Sequence, residues 1–275
     1  MNFDKVVISS NEDPRYIEFW PWIASAWQRM FGVPVHLAFL TQRDEDDDYV
    51  QYLRAFGRVD LFRPVPGIPE ANLAKVIRFM LAARQPPNEV VYINDVDLLP
   101  LNRQYFLNLT SDRPPGYLLC VGAEIYRGGP DDGKFPAGNL TAEAAVFKAL
   151  FNPLDLDDER LASSWIGLRK FDSKEDISST IPNEDPNTFS DESLIRCLLS
   201  DQRVPCWHKP RGWSPYTERA ICRSDWRINN DRLKTGYYVE AHLLRPYTQH
   251  RARIQPILDY ALNRAEHHEM ADRSI

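Results

Sequence analysis

Four short apolar runs between residues 6 and 93 are separated by helical patterns, and this alternation limits the folds open to the chain. Val6-Val7-Ile8-Ser9-Ser10 is a β-branched run that ends in turn-forming residues, as a buried strand does. Residues 33–40, 59–65 and 90–93 read the same way. Asp13-Pro14 offers an N-cap and a first-turn proline for a helix over 14–31. Along it Ile17, Trp20, Ile23, Trp27 and Met30 recur at three- and four-residue spacing. Pro21 should kink or split that helix, and Gly32 should end it. Further helices fit 49–56 and 72–83, the second with Leu73, Val76, Ile77 and Met80 on one face. Strands that alternate with helices over short connections imply an α/β fold, with a mostly parallel central sheet flanked by helices.

The second half is less regular. Residues 117–121 suit a strand, 140–151 an amphipathic helix, and 172–189 a polar, proline-bearing loop. Ser190-Asp191-Glu192 caps a helix running to residue 199. Residues 205–250 mix Trp, Tyr, Arg and Pro without period, and 251–269 read as helix. The aromatic group Trp207, Trp213, Tyr216 and Trp226 suits a core, and would also suit a platform for sugar rings.

Composition narrows the class. The 275 residues carry a formal charge of −6, which argues against a nucleic-acid partner. With 43% hydrophobic and 26% charged residues, the chain is composed like an ordinary globular domain. Cys120, Cys197, Cys206 and Cys222 form no C-x-x-C pair, so neither a zinc ribbon nor a disulfide framework is expected. Val6-Val7-Ile8 follows Asp4 and Lys5 without the basic and long apolar regions of a signal peptide. No run reaches the roughly 18 apolar residues of a membrane span. The expected location is cytoplasmic, with membrane contact at most peripheral.

The segment richest in chemistry is Val90-Val91-Tyr92-Ile93-Asn94-Asp95-Val96-Asp97. In an extended chain alternate side chains share a face, so Asp95 and Asp97 are expected to point to one site. They follow the carboxyl end of a strand, where open α/β sheets bind ligands. Two neighbouring carboxylates call for a cation between them, and a hard divalent ion would bridge to phosphate. One Asp capping a turn, with the other facing water, would show the same pattern.

Ser9-Ser10 after the first strand, Asn72-Leu73-Ala74-Lys75 on a helix, and Tyr92-Ile93-Asn94-Asp95-Val96-Asp97 resemble, in that order, the GT-A glycosyltransferases. In those enzymes the Asp-x-Asp motif holds Mn²⁺ or Mg²⁺ on a nucleotide-sugar diphosphate. Glu240-Ala241-His242-Leu243-Leu244-Arg245-Pro246-Tyr247 is similar to the His-x-x-Gly-x-x-Lys-Pro-Trp region of the glycogenin-like and galactosyltransferase branch. Here the glycine is missing, the cation follows the His by three residues instead of six, and Tyr replaces Trp.

The resemblance implies one GT-A-like, Rossmann-related domain over 1–275, with an irregular C-terminal part. Residues 1–125 would be the nucleotide-sugar half, 126–250 the acceptor-side half, and 251–275 a C-terminal helix and tail. It implies Asp95, Asp97 and His242 as metal ligands and Arg245 as a phosphate contact. Ser9, Ser10, Asn11 and Tyr16 would serve the base and ribose, and Lys75, Arg78 and Asn94 the rest of the donor. Asp191 and Glu192 would be the catalytic carboxylates, one a general base if the anomeric centre inverts. The His242 segment, however, resembles retaining branches. The implied partners are a nucleotide-sugar donor, UDP-sugar first, and a glycan or other hydroxyl acceptor. Two other readings stay open at this point: a non-catalytic carbohydrate- or nucleotide-sugar-binding protein on the same fold, or an Asp-x-Asp phosphatase. The phosphatase motif wants Thr or Val where Leu99 stands.

Overall fold

The computed structural model describes residues 3–122, 135–172, 191–200, 204–209 and 219–272. Strands β1 (Lys5–Asn11), β2 (Val35–Leu40), β3 (Arg58–Phe62) and β4 (Val90–Ile93) are the four runs read from the sequence. Two short strands follow, β5 (Leu98–Pro100) and β6 (Leu118–Val121), and then β7 (Leu140–Glu143) and β8 (Cys206–Lys209). The main sheet has seven strands in the order β3-β2-β1-β4-β7-β6-β8. Every pairing in it is parallel except those of β7 with β4 and with β6. The expected mostly parallel α/β sheet is therefore observed, and one sheet carries strands from both halves of the chain.

The helix expected over 14–31 is split into α1 (Pro14–Ile17) and α2 (Trp20–Phe31), with Pro21 in the first turn of the second piece. Gly32 closes α2 at φ 67°, a left-handed conformation that costs glycine little. After α3 (Asp48–Arg54), helix α4 (Glu70–Ala83) crosses the sheet and is buried at eleven of its positions. The 140–151 helix needs correction. Its first turn is β7, and only α6 (Ala144–Phe151) is helical, with α5 (Arg103–Thr110) before it. A helix-like local pattern lost to pairing: β7 fills the slot between β4 and β6, and Tyr92 on β4 donates to Asn139 just ahead of it at 2.5 Å.

Helices α7 (Asp158–Asp172), α8 (Asp191–Ser200), α9 (Asn230–Lys234) and α10 (Tyr247–Asp272) complete the helical layers. One apolar cluster joins Trp20, Trp27 and Phe31 of α2 to Ile254, Ile257 and Leu258 of α10. A second joins Val76, Phe79 and Met80 of α4 to Phe147 and Phe151 of α6. Each large side chain buried this way contributes about 1.5–3 kcal/mol, so the sheet is clamped from both faces. Among the described residues no helix is long and apolar enough to cross a membrane.

The aperiodic 205–250 region contains order that its sequence hides. Strand β9 (Ala220–Ile221) runs parallel to β10 (Glu240–His242), and β5 pairs with β10 antiparallel. This second sheet lies directly after the Asp95–Asp97 segment. The expected loop at 172–189 falls, but for Asp172, outside the described residues, as do Trp213 and Tyr216. Of the other two aromatics in that group, Trp226 is buried and Trp207 is 38% exposed.

Candidate functional site

The segment between β4 and β5 is a turn, closed by the Leu98 N–H donating to the Asp95 carbonyl at 3.2 Å. That geometry corrects the extended-chain reading. A turn rotates successive side chains away from each other, so Asp95 and Asp97 face different partners.

Asp95 turns toward α4. Arg78, only 4% exposed, donates to the Asp95 carboxylate from Nη1 and to Asp191 Oδ2 from Nη2 at 2.5 Å. The same guanidinium reaches the Asn94 carbonyl at 3.2 Å. Burial works against the Arg78 charge, but the two carboxylates more than offset it and hold its pKa above the ordinary value. Gly138 crowds the other side of Asp95: a Cβ built there would lie 2.6 Å from Oδ2. Asp191, the first residue of α8, is thus brought to the acid motif by Arg78, across 113 residues of sequence.

Asp97 is instead engaged by side chains of the small sheet and the residues that follow its strands. Its Oδ2 accepts from Arg223 Nη1 at 2.8 Å and lies 3.4 Å from Arg245 Nε. Its Oδ1 lies 3.5 Å from His242 Nε2. Burial pushes the carboxyl upward, yet the charge and hydrogen bond of His242 and the two guanidiniums hold it well below the usual carboxylate range. The backbone reinforces the contact, since Leu243 N–H donates to the Asp97 carbonyl at 2.8 Å. Arg245 also sits over the Tyr16 ring, 4.4 Å from its centroid, which draws the first helix into the cluster.

The structure therefore gathers Tyr16, Asp97, His242 and Arg245 in one group, and Arg78, Asn94, Asp95 and Asp191 in another. Asn94 is fully buried and works within the turn, its Nδ2 donating to the Leu98 carbonyl at 2.9 Å. Ser9 and Ser10 are buried at the end of β1, Ser10 Oγ donating to the Asn11 carbonyl at 3.0 Å. Asn11 Oδ1 accepts from the Asp13 N–H. Lys75 and Arg78 do not share an environment, because Lys75 is exposed while Arg78 is buried among acids. Glu192 is half-buried beside Asp191.

Among the described residues no group of three or more His, Cys, Asp and Glu side chains gathers to hold a metal ion. The Asp95–Asp97–His242 trio does not assemble as one cluster, since Arg78 already balances Asp95. Asp97 and His242 remain as a carboxylate–imidazole pair, 3.5 Å apart. Two site residues escaped the sequence reading. Arg223 lies in the aperiodic region and is placed only by the β9–β10 register, and Gly138 precedes a strand that looked helical.

No family model and no curated protein matches this chain. Among solved structures, it is similar to the glycosyltransferase GlyE of Streptococcus pneumoniae TIGR4 in its apo form. That match has 14% identity over 98% of this chain and 64% of that one, with a TM-score of 0.52. Further matches include the galactosyltransferase LgtC, in complex with donor and acceptor sugar analogs, at 12% identity over 88% and 87% of the two chains, TM-score 0.49. Another is a glycosyltransferase involved in glycosylation of the major capsid of PBCV-1, at 13% identity over 86% and 92%, TM-score 0.44. The GlyE likeness shows a shared fold: the GT-A-like α/β architecture is the one this chain adopts.

Proposed function

We propose that the chain is a metal-dependent glycosyltransferase that moves a sugar from a nucleotide diphosphate donor, UDP-sugar first, to the hydroxyl of a glycan or similar acceptor. One observation carries the reading: Asp97, His242, Arg245 and Arg223 converge where the β4–β5 turn meets the small sheet. That place lies outside the carboxyl ends of β1 and β4, where open α/β folds bind nucleotides. The fold shared with GlyE supports it.

The residues divide the work by charge. As a glycosidic bond to a diphosphate breaks, negative charge grows on the departing phosphates, and Arg245 is placed to stabilise it. Asp97 and His242 would hold Mn²⁺ or Mg²⁺, which would supply Lewis-acid stabilisation to the same phosphates. Asp97 also aims the guanidiniums. Tyr16, under Arg245, offers a ring face to a base or ribose, with Ser9, Ser10 and Asn11 at the neighbouring strand end. Arg78 ties Asp95 to Asp191 and so sets the sugar side of the site, where Asp191 and Glu192 face the acceptor. Retention of the anomeric configuration is the outcome we propose. Lys75, exposed on α4, would reach the donor only from outside this cluster.

The test is release of nucleoside diphosphate from a panel of UDP-sugars with Mn²⁺, with Mg²⁺ and with chelator. Metal-dependent release by the native chain, lost in Asp97→Ala and Asp95→Asn variants that still fold, is expected. His242→Ala should raise the Mn²⁺ concentration needed for half-maximal release more than it lowers the melting temperature. Unchanged turnover in both aspartate variants at saturating Mn²⁺ would refute the assignment. Binding of UDP-sugars without any turnover would instead favour the non-catalytic reading.

A further inference from the structure

Three chain segments that are remote in sequence end at one edge of the small sheet. Strands β9 and β10 run parallel, so Arg223, two residues beyond β9, and His242 and Arg245, at and beyond the end of β10, emerge on the same side. Strand β5 runs antiparallel to β10, with Leu98 opposite His242, so Asp97 enters the sheet at that same edge. Backbone pairing therefore places two arginines around one aspartate.

The balance of charge there is uneven. The Asp97 side chain is 6% exposed, while those of Arg223 and Arg245 are 32% and 24% exposed. One buried carboxylate lies beneath two guanidiniums that reach solvent. Both crowd the same oxygen, Oδ2, at 2.8 and 3.4 Å. A structural ion pair needs one cation, and a second on the same oxygen is repelled by the first. Arg245 also acts on Asp13, but that carboxylate is held by Arg15 at 2.5 Å. Of the five N–H donors a guanidinium carries, Arg223 uses Nη1 on Asp97, and the fork suits phosphate oxygens in pairs.

We propose that Arg223 is a second phosphate-binding residue, forming with Arg245 a two-guanidinium seat above Asp97 for the adjacent phosphates of a nucleoside diphosphate. The inference rests on the donor reading above and adds a residue to it. Asp97 holds the two cations close together before the ligand arrives, and bridging phosphates relieve their repulsion.

Calorimetric titrations of UDP, uridine and inorganic pyrophosphate, at fixed ionic strength with Mg²⁺ present, test this on the native chain and on Arg223→Gln, Arg223→Lys and Arg227→Gln. Arg227 is a neighbouring exposed arginine outside the cluster and serves as the control. Arg223→Gln should weaken UDP and pyrophosphate about 10–100-fold and leave uridine unchanged, the range expected for a charge-assisted hydrogen bond. Arg223→Lys should restore part of the loss, and Arg227→Gln should match the native chain. Native affinity for UDP in Arg223→Gln, or equal losses for UDP and uridine with a lower melting temperature, would overturn the seat and leave the donor reading standing. If the native chain binds pyrophosphate through Arg223 but no nucleoside diphosphate, the donor reading falls, and with it the assignment of the seat to a nucleoside diphosphate. Binding of neither by the native chain sinks both.

Discussion

Asp95 and Asp97 stand two residues apart in one turn, yet the fold treats them as opposites. Asp95 is 36% exposed and shares a single buried arginine with Asp191, two acids on one cation. Asp97 is 6% exposed and is surrounded by two arginines and a histidine, one acid between two guanidiniums and an imidazole. The turn divides the site into an acid-rich side toward α4 and α8 and a cation-rich side toward the small sheet. Under the proposed reading, the transferred sugar would lie toward the acid-rich side, and the diphosphate, which joins it to the nucleoside, toward the cation-rich side. The lesson is that a motif's spacing does not fix its geometry: whether Asp-x-Asp is strand or turn decides whether its acids act together.

The largest effect that separates the two sides should be on stability. Arg78→Leu leaves Asp95 and Asp191 without their shared cation and should cost about 3 kcal/mol in chemical denaturation. Arg223→Gln, which breaks a partly exposed pair, should cost less than about 1 kcal/mol. Equal costs would mean that the two acids sit in equivalent surroundings. Replacing Asp191 by Leu in the Arg78→Leu background should recover part of the loss.

A smaller effect is expected at Gly138. An alanine Cβ there would meet Asp95 Oδ2 at 2.6 Å, and Arg78 prevents that carboxylate from simply swinging aside. Gly138→Ala should lower the melting temperature, with a cost of about 1–3 kcal/mol, and depress UDP-sugar turnover. It should leave pyrophosphate affinity, which belongs to the Asp97 side, near native. Loss of pyrophosphate binding would show that the sides are not separable.

The smallest effect is on pH dependence. The folded-state pKa of Asp97 is depressed, so its contribution is present above the unfolded value near 4 and is lost only in stronger acid. His36 differs. Burial first, then Lys5, lowers its pKa to about 4, so it is buried in the neutral form. Its contribution is complete above the unfolded value of about 6.5 and declines as pH falls toward 4. Melting temperatures between these limits should drop by the equivalent of roughly 1 kcal/mol, screening discounted, and His36→Leu should flatten the drop. An unchanged slope in that variant would show that His36 does not carry this acid sensitivity.

Much of the first half was legible because its strands and helices carry their own period. Tryptophans and isoleucines at helical spacing, a left-handed Gly32 and the apolar 90–93 run each act locally. The rest exists only through pairing. Strands of two to four residues, such as β5, β9 and β10, are too short to show alternation, and β7 looked helical until its partners were present. Asp97, His242, Arg245, Asp95, Arg78 and Asp191 could be named as chemistry-bearing residues, but their division into two groups could not. That division depends on a turn, on Arg78 reaching Asp191, and on a register that delivers Arg223.

The most direct test is a crystal structure of the native chain with UDP and Mn²⁺. The diphosphate should lie within hydrogen-bonding distance of Arg223 and Arg245, on the Asp97–His242 side of the turn, with the base toward Tyr16. A cavity of about 890 Å³ at the β3 edge, lined by Arg54, Arg58 and Arg84, offers a contrasting location whose arginines already pair with Glu45, Asp60 and Asp158. Diphosphate density in that cavity, with the Asp97 cluster unchanged, would contradict the assignment.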